Sequence, residues 1–383
     1  MGRINVLYVC IDSSLGGSTA SLFNLIESVR KEVNPIVLFP EEGVGKDYFE
    51  KHGIECWVYP YIKLYVFEKN RLLDVWKHPW RYHYIKKIRI DHNCYKFVKG
   101  KLEGRSIDIV HTNTSPNDIG VLLAKKLHAK HVWHIRECMD ARTQFVMWGG
   151  LRRLMKLVNH ADARIAISSY VKEHWKMRNE NTFVLHDAIA SEDEVADIRL
   201  KKKYVLFVSW YLNEEKGTRN CIEAFGKSGL QDEGYKLLLV GNCEEDFHMT
   251  LMDMAKEVCC EDAIVFIPCQ KELMNYYAEA SAFVMASRYE GLGRVTAEAM
   301  LYGCPVIAHA SGGTLDLVKD RETGYLFNTV EECAALLRKV CSSDNEQMIM
   351  RAQIFAKDNL TQEVYGPRIM EVYRKVLASR GCF

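Results

Sequence analysis

The 383 residues carry 51 Lys+Arg against 50 Asp+Glu, a formal net charge of +1, with 48% hydrophobic and 26% charged residues. This composition excludes a disordered chain and a generic nucleic-acid-coating protein, and the length suits two domains of about 150–200 residues rather than one core. Thirteen cysteines, odd in number and without a C-x-x-C pair, argue against a disulfide framework or a zinc site and for a reducing, cytoplasmic setting. The first ten residues lack the basic start and long apolar stretch of a signal peptide. No run approaches the roughly 18 apolar residues that span a bilayer, so membrane contact is expected to be peripheral at most.

In chain order, residues 4–10 read as a buried strand and residues 14–30 as a Gly-rich turn opening an amphipathic helix. Further apolar, β-branched runs at 35–39, 55–60, 108–112, 131–135 and 163–168 read as strands, with segments long enough for crossover helices among them. That alternation is the signature of a doubly wound parallel sheet. The stretch 191–203 is polar and aperiodic and reads as a linker. A second series of strands follows at 204–209, 236–241, 263–267, 282–287, 305–309 and 324–327, separated by helical segments such as 296–303. The expectation is an α/β chain with a Rossmann-like domain over 1–190, a linker over 191–203 and a second Rossmann-like domain over 204–360. A C-terminal helix over 361–383 is expected to pack back on the first domain. Two such domains are expected to face a central cleft, with ligands at the carboxyl ends of the strands.

Two segments carry chemistry. Gly16-Gly17-Ser18-Thr19 follows a strand and opens a helix, so its backbone can approach a ligand and its amides favour an anion. It is no G-x-G-x-x-G fingerprint, which makes a dinucleotide reading weak and leaves a plain tight turn as the alternative. In the stretch 287–300, Glu290 and Glu298 stand eight residues apart, and Gly291 and Gly293 keep the loop between them open. One carboxylate falls in the loop and the other on the first turn of a helix running from Thr296. Carboxylates accepting from hydroxyls and loop amides donating to oxygens suit a polyol joined to a phosphate. The bland alternative is that Glu298 merely complements the helix dipole.

The run Glu290-Gly-Leu-Gly-Arg-Val-Thr-Ala-Glu298 resembles the E-x7-E segment of the retaining glycosyltransferases of family 4, which have the GT-B fold. Gly303-Cys-Pro-Val-Ile307 is similar to their G-x-P-V-I strand. Ser311-Gly-Gly313, Asp316-Leu-Val318 and Thr323-Gly-Tyr-Leu326 resemble their G-G-x-x-E-x-V and T-G-x-L runs, with Asp316 in place of Glu. Leu239-Val-Gly241 matches a strand ending in Gly. The resemblance covers nearly the whole chain, closely in 204–330 and loosely in 1–190. It implies that Glu298 binds ribose hydroxyls and Glu290 stands by the donor sugar. The amides of Leu292, Gly293, Arg294 and Val295, with Gly291 and the Gly16-Gly17 turn, would hold sugar and diphosphate. Glu214-Glu-Lys-Gly217 resembles the family's E-K-G, which places Lys216 on the diphosphate leaving group. Where the family has Gly-Arg at the end of that strand, this chain has Ser209-Trp210-Tyr211, so Arg294 is the candidate to supply the missing charge. His186-Asp187 replaces the usual Asn-Gly and reads as hinge variation.

By the same resemblance, His134 stands near the donor sugar, with Arg136 and Glu137 beside it. His111, Thr112 and Asn113 end another strand and could line the acceptor side. The chain has no D-x-D motif, so Lys216, backbone amides and helix dipoles are expected to meet the diphosphate charge without a metal or a tightly bound cofactor. The resemblance implies front-face transfer, with Glu290, His134 and Lys216 orienting the sugar and stabilising the leaving group.

Residues 63–105 hold twelve basic and four acidic residues among many aromatics, a local excess of +8. Residues 146–158 add Arg152, Arg153 and Lys156 on an expected amphipathic helix. Both suit an anionic membrane surface at the inner face of the membrane, with a solvated helix face as the bland reading. The expected activity is transfer from a nucleoside-diphosphate sugar to a glycan or lipid-linked glycan in surface polysaccharide or glycolipid synthesis, with no nucleic-acid partner. A nucleotide-sugar epimerase of the same fold and a non-catalytic nucleotide-sugar-binding partner are the alternatives.

Overall fold

In Ile4–Val9, four successive residues, Val6, Leu7, Tyr8 and Val9, have no solvent exposure. In Lys202–Tyr211, Tyr204 to Ser209 are all buried. A strand covered on both faces needs a layer on each side, which parallel sheets obtain from crossover helices. The computed structural model describes residues 2–63, 65–67, 80–138, 145–147 and 150–379. It divides into two compact units, residues 1–187 with 365–383, and residues 188–364.

The strands of unit 1 are β1 (Ile4–Val9), β2 (Val33–Phe39), β3 (Glu55–Val58), β4 (Tyr65–Phe67), β5 (Ile109–Thr112), β6 (Lys130–Ile135), β7 (Phe145–Met147), β8 (Ala163–Ala166) and β9 (Thr182–Val184). Its helices are α1 (Gly17–Val29), α2 (Val44–Lys51), α3 (Trp80–Leu102), α4 (Ile119–Leu127), α5 (Leu151–Asn159) and α6 (Ser169–His174). Among the described residues, seven strands form one parallel sheet in the order β3-β2-β1-β5-β6-β8-β9, while β4 and β7 pair antiparallel to each other. One face buries Leu7, Val9, Leu38, Trp57 and Val110 against Cys94 and Val98 of α3 and Leu123 of α4.

Unit 2 has β10 (Lys202–Tyr211), β11 (Lys236–Asn242), β12 (Ile264–Ile267), β13 (Ala280–Met285), β14 (Val306–His309) and β15 (Tyr325–Phe327). Its helices are α7 (Thr218–Ser228), α8 (Glu245–Glu257), α9 (Met274–Glu279), α10 (Arg294–Leu301), α11 (Val330–Cys341) and α12 (Glu346–Leu360). The sheet order is β12-β11-β10-β13-β14-β15, all parallel. Its core joins Val205, Phe207, Leu237 and Val284 to Ile222, Phe225 and Leu337 of the covering helices.

In both sheets the first strand of the unit lies between the second and the one that follows the crossover to the other side. The chain therefore winds away in opposite directions from β1 and β5, and from β10 and β13. Each such reversal leaves a crevice at the carboxyl ends of the strands, where open α/β sheets bind ligands.

The last helix, α13 (Gln362–Ala378), belongs to unit 1 from Tyr365 onward. Tyr365, Ile369, Met370, Tyr373 and Val376 are buried. At Gly366 any Cβ would overlap the carbonyl oxygen of Ser28, so glycine is what lets α13 lie against the end of α1.

Several expectations change in detail. Residues 191–203 belong to unit 2 and are tied to it: Gln353 Nε2 donates to Ala196 O at 2.7 Å, and Lys201 Nζ donates to Ala278 O at 2.7 Å and to Gly303 O at 2.6 Å. The helix expected over 146–158 is corrected. Residues 145–147 form β7, and the helix begins at Leu151 after Gly150 takes φ 79°. Its apolar residues Leu154 and Val158 are buried in unit 1, while Arg152, Arg153 and Lys156 are exposed. Residues 68–79, including Lys69, Arg71, Trp76 and Lys77 of the basic segment, lie outside the described residues.

Three histidines are enclosed in the unit 1 sheet, His111, His131 and His134. Burial pushes the His131 imidazole down to about 4. Burial and the neighbouring Arg136 hold His111 and His134 well below the usual histidine range. In the unfolded chain the same groups titrate near 6.5. As pH falls from there toward about 4, the unfolded chain gains protons that the folded unit refuses, so stability falls with pH. Urea unfolding from about pH 7 to about pH 4 should show that loss, His131 supplying on the order of 3 kcal/mol of it. The His131→Gln variant should show a shallower slope over the same range, and an unchanged slope would contradict the assignment.

Candidate functional site

The unit 2 crevice is built from backbone outward. The pairing of β10 with β11 slips between Val208 and Tyr211 opposite Val240 and Asn242, which puts one extra residue into β10. Gly241 accommodates this bulge, since a Cβ there would overlap the Ser209 carbonyl oxygen. A bulge at a strand end re-aims the side chains that follow it. Trp210 and Tyr211 accordingly stand 56% and 49% exposed.

The loop from β10 to α7 is folded by Asn213. Its Oδ1 accepts from Lys216 N at 3.0 Å, and its carbonyl accepts from Thr218 Oγ1 at 3.1 Å. Gly217 takes φ 74° and approaches the Ala286 carbonyl too closely for a side chain. The turn is thereby pressed against the loop that leaves β13, and Ser287 Oγ donates to Glu215 O at 3.3 Å. Across this contact Lys216 Nζ donates to Glu290 Oε1 at 2.7 Å. The Glu290 carboxylate holds the Lys216 ammonium above its ordinary value. The lysine side chain remains 40% exposed, so the pair is open to a ligand.

Glu290 and Gly291 rest on a second glycine pair. Gly313 N donates to Glu290 O at 2.8 Å. A Cβ on Gly312 would stand 2.8 Å from the same oxygen, and one on Gly313 would overlap the Gly291 carbonyl oxygen. Leu292 is buried beneath the loop. Gly293 at φ 89° caps α10, which opens with Arg294 and Val295. The helix starts two residues earlier than expected, so Glu298 is its fifth residue and lies beyond the first turn. Its Oε2 accepts from Tyr277 Oη at 3.1 Å, and Arg294 Nη2 is 3.9 Å from Oε1. Burial raises the Glu298 carboxyl above the usual range, opposed by Arg294 and the Tyr277 hydroxyl. The crevice thus gathers Lys216, Glu290, Glu298 and the amides that begin α10, a set able to meet an anion and hydroxyls side by side.

In unit 1 the turn after β1 is held by Asp12, whose Oδ1 accepts from Ser14 N at 2.9 Å and Ser14 Oγ at 2.6 Å. Gly16 caps α1 and Gly17 is its first residue. From the other side of the crevice Asn113 Nδ2 donates to Ser18 O at 3.0 Å. Asn113 Oδ1 accepts from Arg136 Nε at 3.0 Å, and Arg136 Nη1 donates to Asp187. Arg136 Nη2 lies 3.3 Å from His134 Nδ1. Donation by Arg136 leaves the His134 proton on Nε2, which has no hydrogen-bond partner and sits 3.8 Å from Asp187 Oδ1. His111 Nδ1 meets Tyr373 Oη at 2.8 Å, and Glu137 Oε1 accepts from Ser115 N and Oγ at 2.7 and 2.5 Å. Of these side chains, His111, Asn113, His134 and Arg136 are buried. His134 and Glu137 have separate partners, Arg136 for the first and Ser115 for the second.

Two residues that mattered went unread in the sequence. Asp187, taken as hinge variation, is the counter-ion of buried Arg136. Tyr277, the hydroxyl donor to Glu298, carried no motif at all. The only available signal was physical: a buried Arg and a half-buried Glu each demand a partner.

The Gly313 contact is directly testable. Gly313→Ala places a methyl group against the Gly291 carbonyl and should cost about 1–3 kcal/mol by overpacking. Thermal unfolding should show the loss, while wild-type stability would mean the two loops are not in contact.

Residues 189–355 match the family model described as glycosyl transferases group 1. An uncharacterized glycosyltransferase of Haemophilus influenzae is 28% identical over 210 residues, 54% of this chain and 57% of that protein. The amylovoran biosynthesis glycosyltransferase AmsD of Erwinia amylovora is 26% identical over 226 residues, 58% of this chain and 61% of that protein. The chain thus spans about three fifths of the length of these relatives. Among solved structures, HepE of Anabaena, crystallised with UDP and glucose, superposes with a TM-score of 0.79 at 19% identity, covering 97% of this chain and 100% of that one. Two Rossmann-like parallel-sheet domains with this likeness make the fold GT-B, and residues 189–355 are similar to the group 1 glycosyl transferases.

Proposed function

We propose that the protein is a retaining, family 4 glycosyltransferase that moves a sugar from a nucleoside-diphosphate sugar to a glycan or lipid-linked glycan. The observation that carries this reading is the Lys216–Glu290 contact beside the start of α10 at the β10/β13 crevice. HepE holding UDP and glucose favours a UDP sugar as donor, and AmsD favours a polysaccharide product.

The chemistry follows from charge. Breaking the anomeric bond releases a diphosphate, and stabilising that developing charge is the main task. Lys216, the amides of Leu292, Gly293, Arg294 and Val295, and the α10 dipole supply the stabilisation. The diphosphate competes with Glu290 for Lys216, and the freed Glu290 carboxylate accepts from sugar hydroxyls. Glu298 accepts from the ribose hydroxyls. Arg294 adds positive charge at the loop, in the role that Trp210 and Tyr211 cannot fill. We assign no carboxylate the part of covalent nucleophile. The departing diphosphate takes up the acceptor proton, and no divalent metal is needed.

We assign the acceptor side to unit 1, around His111, Asn113, Arg136 and Glu137. His134 is neutral and enclosed, so its part is to set the Arg136 guanidinium rather than to exchange a proton. Among the described residues no helix is long and apolar enough to cross a membrane. A peripheral approach is supported by α3, where Ile85 and Ile88 are 65% and 52% exposed beside exposed Lys86 and Arg89.

A thermal-shift panel of UDP, GDP and ADP sugars tests the donor. The UDP sugars should raise the melting temperature, since a ligand of the folded state stabilises it by mass action. Lys216→Ala should keep the fold and lose roughly 100- to 1,000-fold in turnover, the scale of removing one stabilising donor. The product should keep the donor's anomeric configuration by NMR, with rates unchanged in EDTA. Stabilisation by none of the sugars would overturn the reading.

The membrane reading has a separate test. Binding to phosphatidylglycerol vesicles should weaken as salt shortens the Debye length below about 10 Å. Equal binding to neutral vesicles would contradict it.

A further inference from the structure

Tyr277 is fully enclosed, and its side chain is fixed from several directions. Its ring packs edge-on against Phe283 with centroids 5.6 Å apart and beside Tyr302 at 6.0 Å. The α9 backbone is tied on both sides of it. Tyr204 Oη donates to Tyr276 O at 2.7 Å, and Lys201 Nζ donates to Ala278 O at 2.7 Å. A buried phenol needs an acceptor, and the acceptor is Glu298 Oε2 at 3.1 Å. The Glu298 side chain is 18% exposed, and Arg294 Nη2 at 3.9 Å is too far from Oε1 for a hydrogen bond. One carboxylate oxygen is therefore engaged by Tyr277, and the side chain keeps 18% of its surface exposed.

We infer that Tyr277 is a positioning residue for the nucleotide: its hydroxyl locks Glu298 so that Oε1 accepts from the ribose hydroxyls of a nucleoside diphosphate. This rests on the role proposed for Glu298. Accepting from two hydroxyls requires the ionised carboxylate. Burial opposes that form, while Arg294 on the same helix and Tyr277 on α9 favour it. The Tyr302 ring is the third group facing it and remains a neutral phenol, its own ionisation pushed up by burial and by Glu298. Nucleotide affinity should therefore fall as pH falls through the Glu298 pKa. Loss of the Tyr277 hydroxyl removes one of the two favourable contacts, so the fall should begin at higher pH.

The test titrates the wild type, Tyr277→Phe and Glu298→Gln with UDP, GDP and ADP, and with their 2′,3′-dideoxy forms. For the base that binds, Tyr277→Phe should weaken the ribonucleotide roughly 5- to 10-fold, as expected for loss of a charge-assisted hydrogen bond. It should leave the dideoxy nucleotide unchanged and raise the midpoint of the acidic fall. Glu298→Gln should abolish the fall. A Tyr277→Phe variant that weakens both nucleotide forms equally, or neither, overturns the positioning role, while normal ribonucleotide binding by Glu298→Gln overturns the reading of Glu298 beneath it.

Discussion

The unit 2 site depends on two stretches of backbone meeting with no side chain between them. Gly312-Gly313 lies against Glu290-Gly291, and Gly313 N closes the contact on the Glu290 carbonyl. That contact fixes the loop from which the Glu290 side chain projects. It also sets the left-handed turn at Gly293 that starts α10 where it does. A similar approach, Gly217 against Ala286, brings Lys216 to the same loop. Glycine at each meeting point is a geometric requirement, and the charged groups are placed as its consequence.

The two units handle charge differently. Lys216 and Glu290 form a pair whose lysine stays 40% exposed, so its partner can be exchanged for a ligand at modest cost. Arg136 and Asp187 are both buried, and each is the other's compensation. Removing one member of such a pair strands the other, at a cost of roughly 3–5 kcal/mol. The first arrangement suits a site that binds and releases an anion, and the second suits a fixed framework. The same framework keeps His111 and His134 neutral, with Tyr373 of α13 completing it.

Much of the fold was legible because its signals are local. Apolar runs at 4–10, 131–135 and 204–209 became β1, β6 and β10, and the glycines around 291–293 marked the loop before α10. The spacing of Glu290 and Glu298 placed both at one crevice. What was not legible depends on distant partners. Asp187 finds Arg136 across 51 residues and Tyr373 finds His111 across 262, with no sequence pattern joining either pair. Edge strand β9, with only three residues, gave no periodicity to read. The amphipathic pattern over 146–158 was real from Leu151 onward, but its apolar face serves the core of unit 1.

On the proposed function, the β10/β13 crevice of unit 2 receives a diphosphate. A crystal structure of the protein soaked with UDP measures this directly. Diphosphate oxygens are expected within hydrogen-bond distance of Lys216 Nζ and of the amides that open α10, with the ribose hydroxyls on Glu298 and Lys216 released from Glu290. A nucleotide bound elsewhere, with the Lys216–Glu290 contact intact at 2.7 Å, would contradict it.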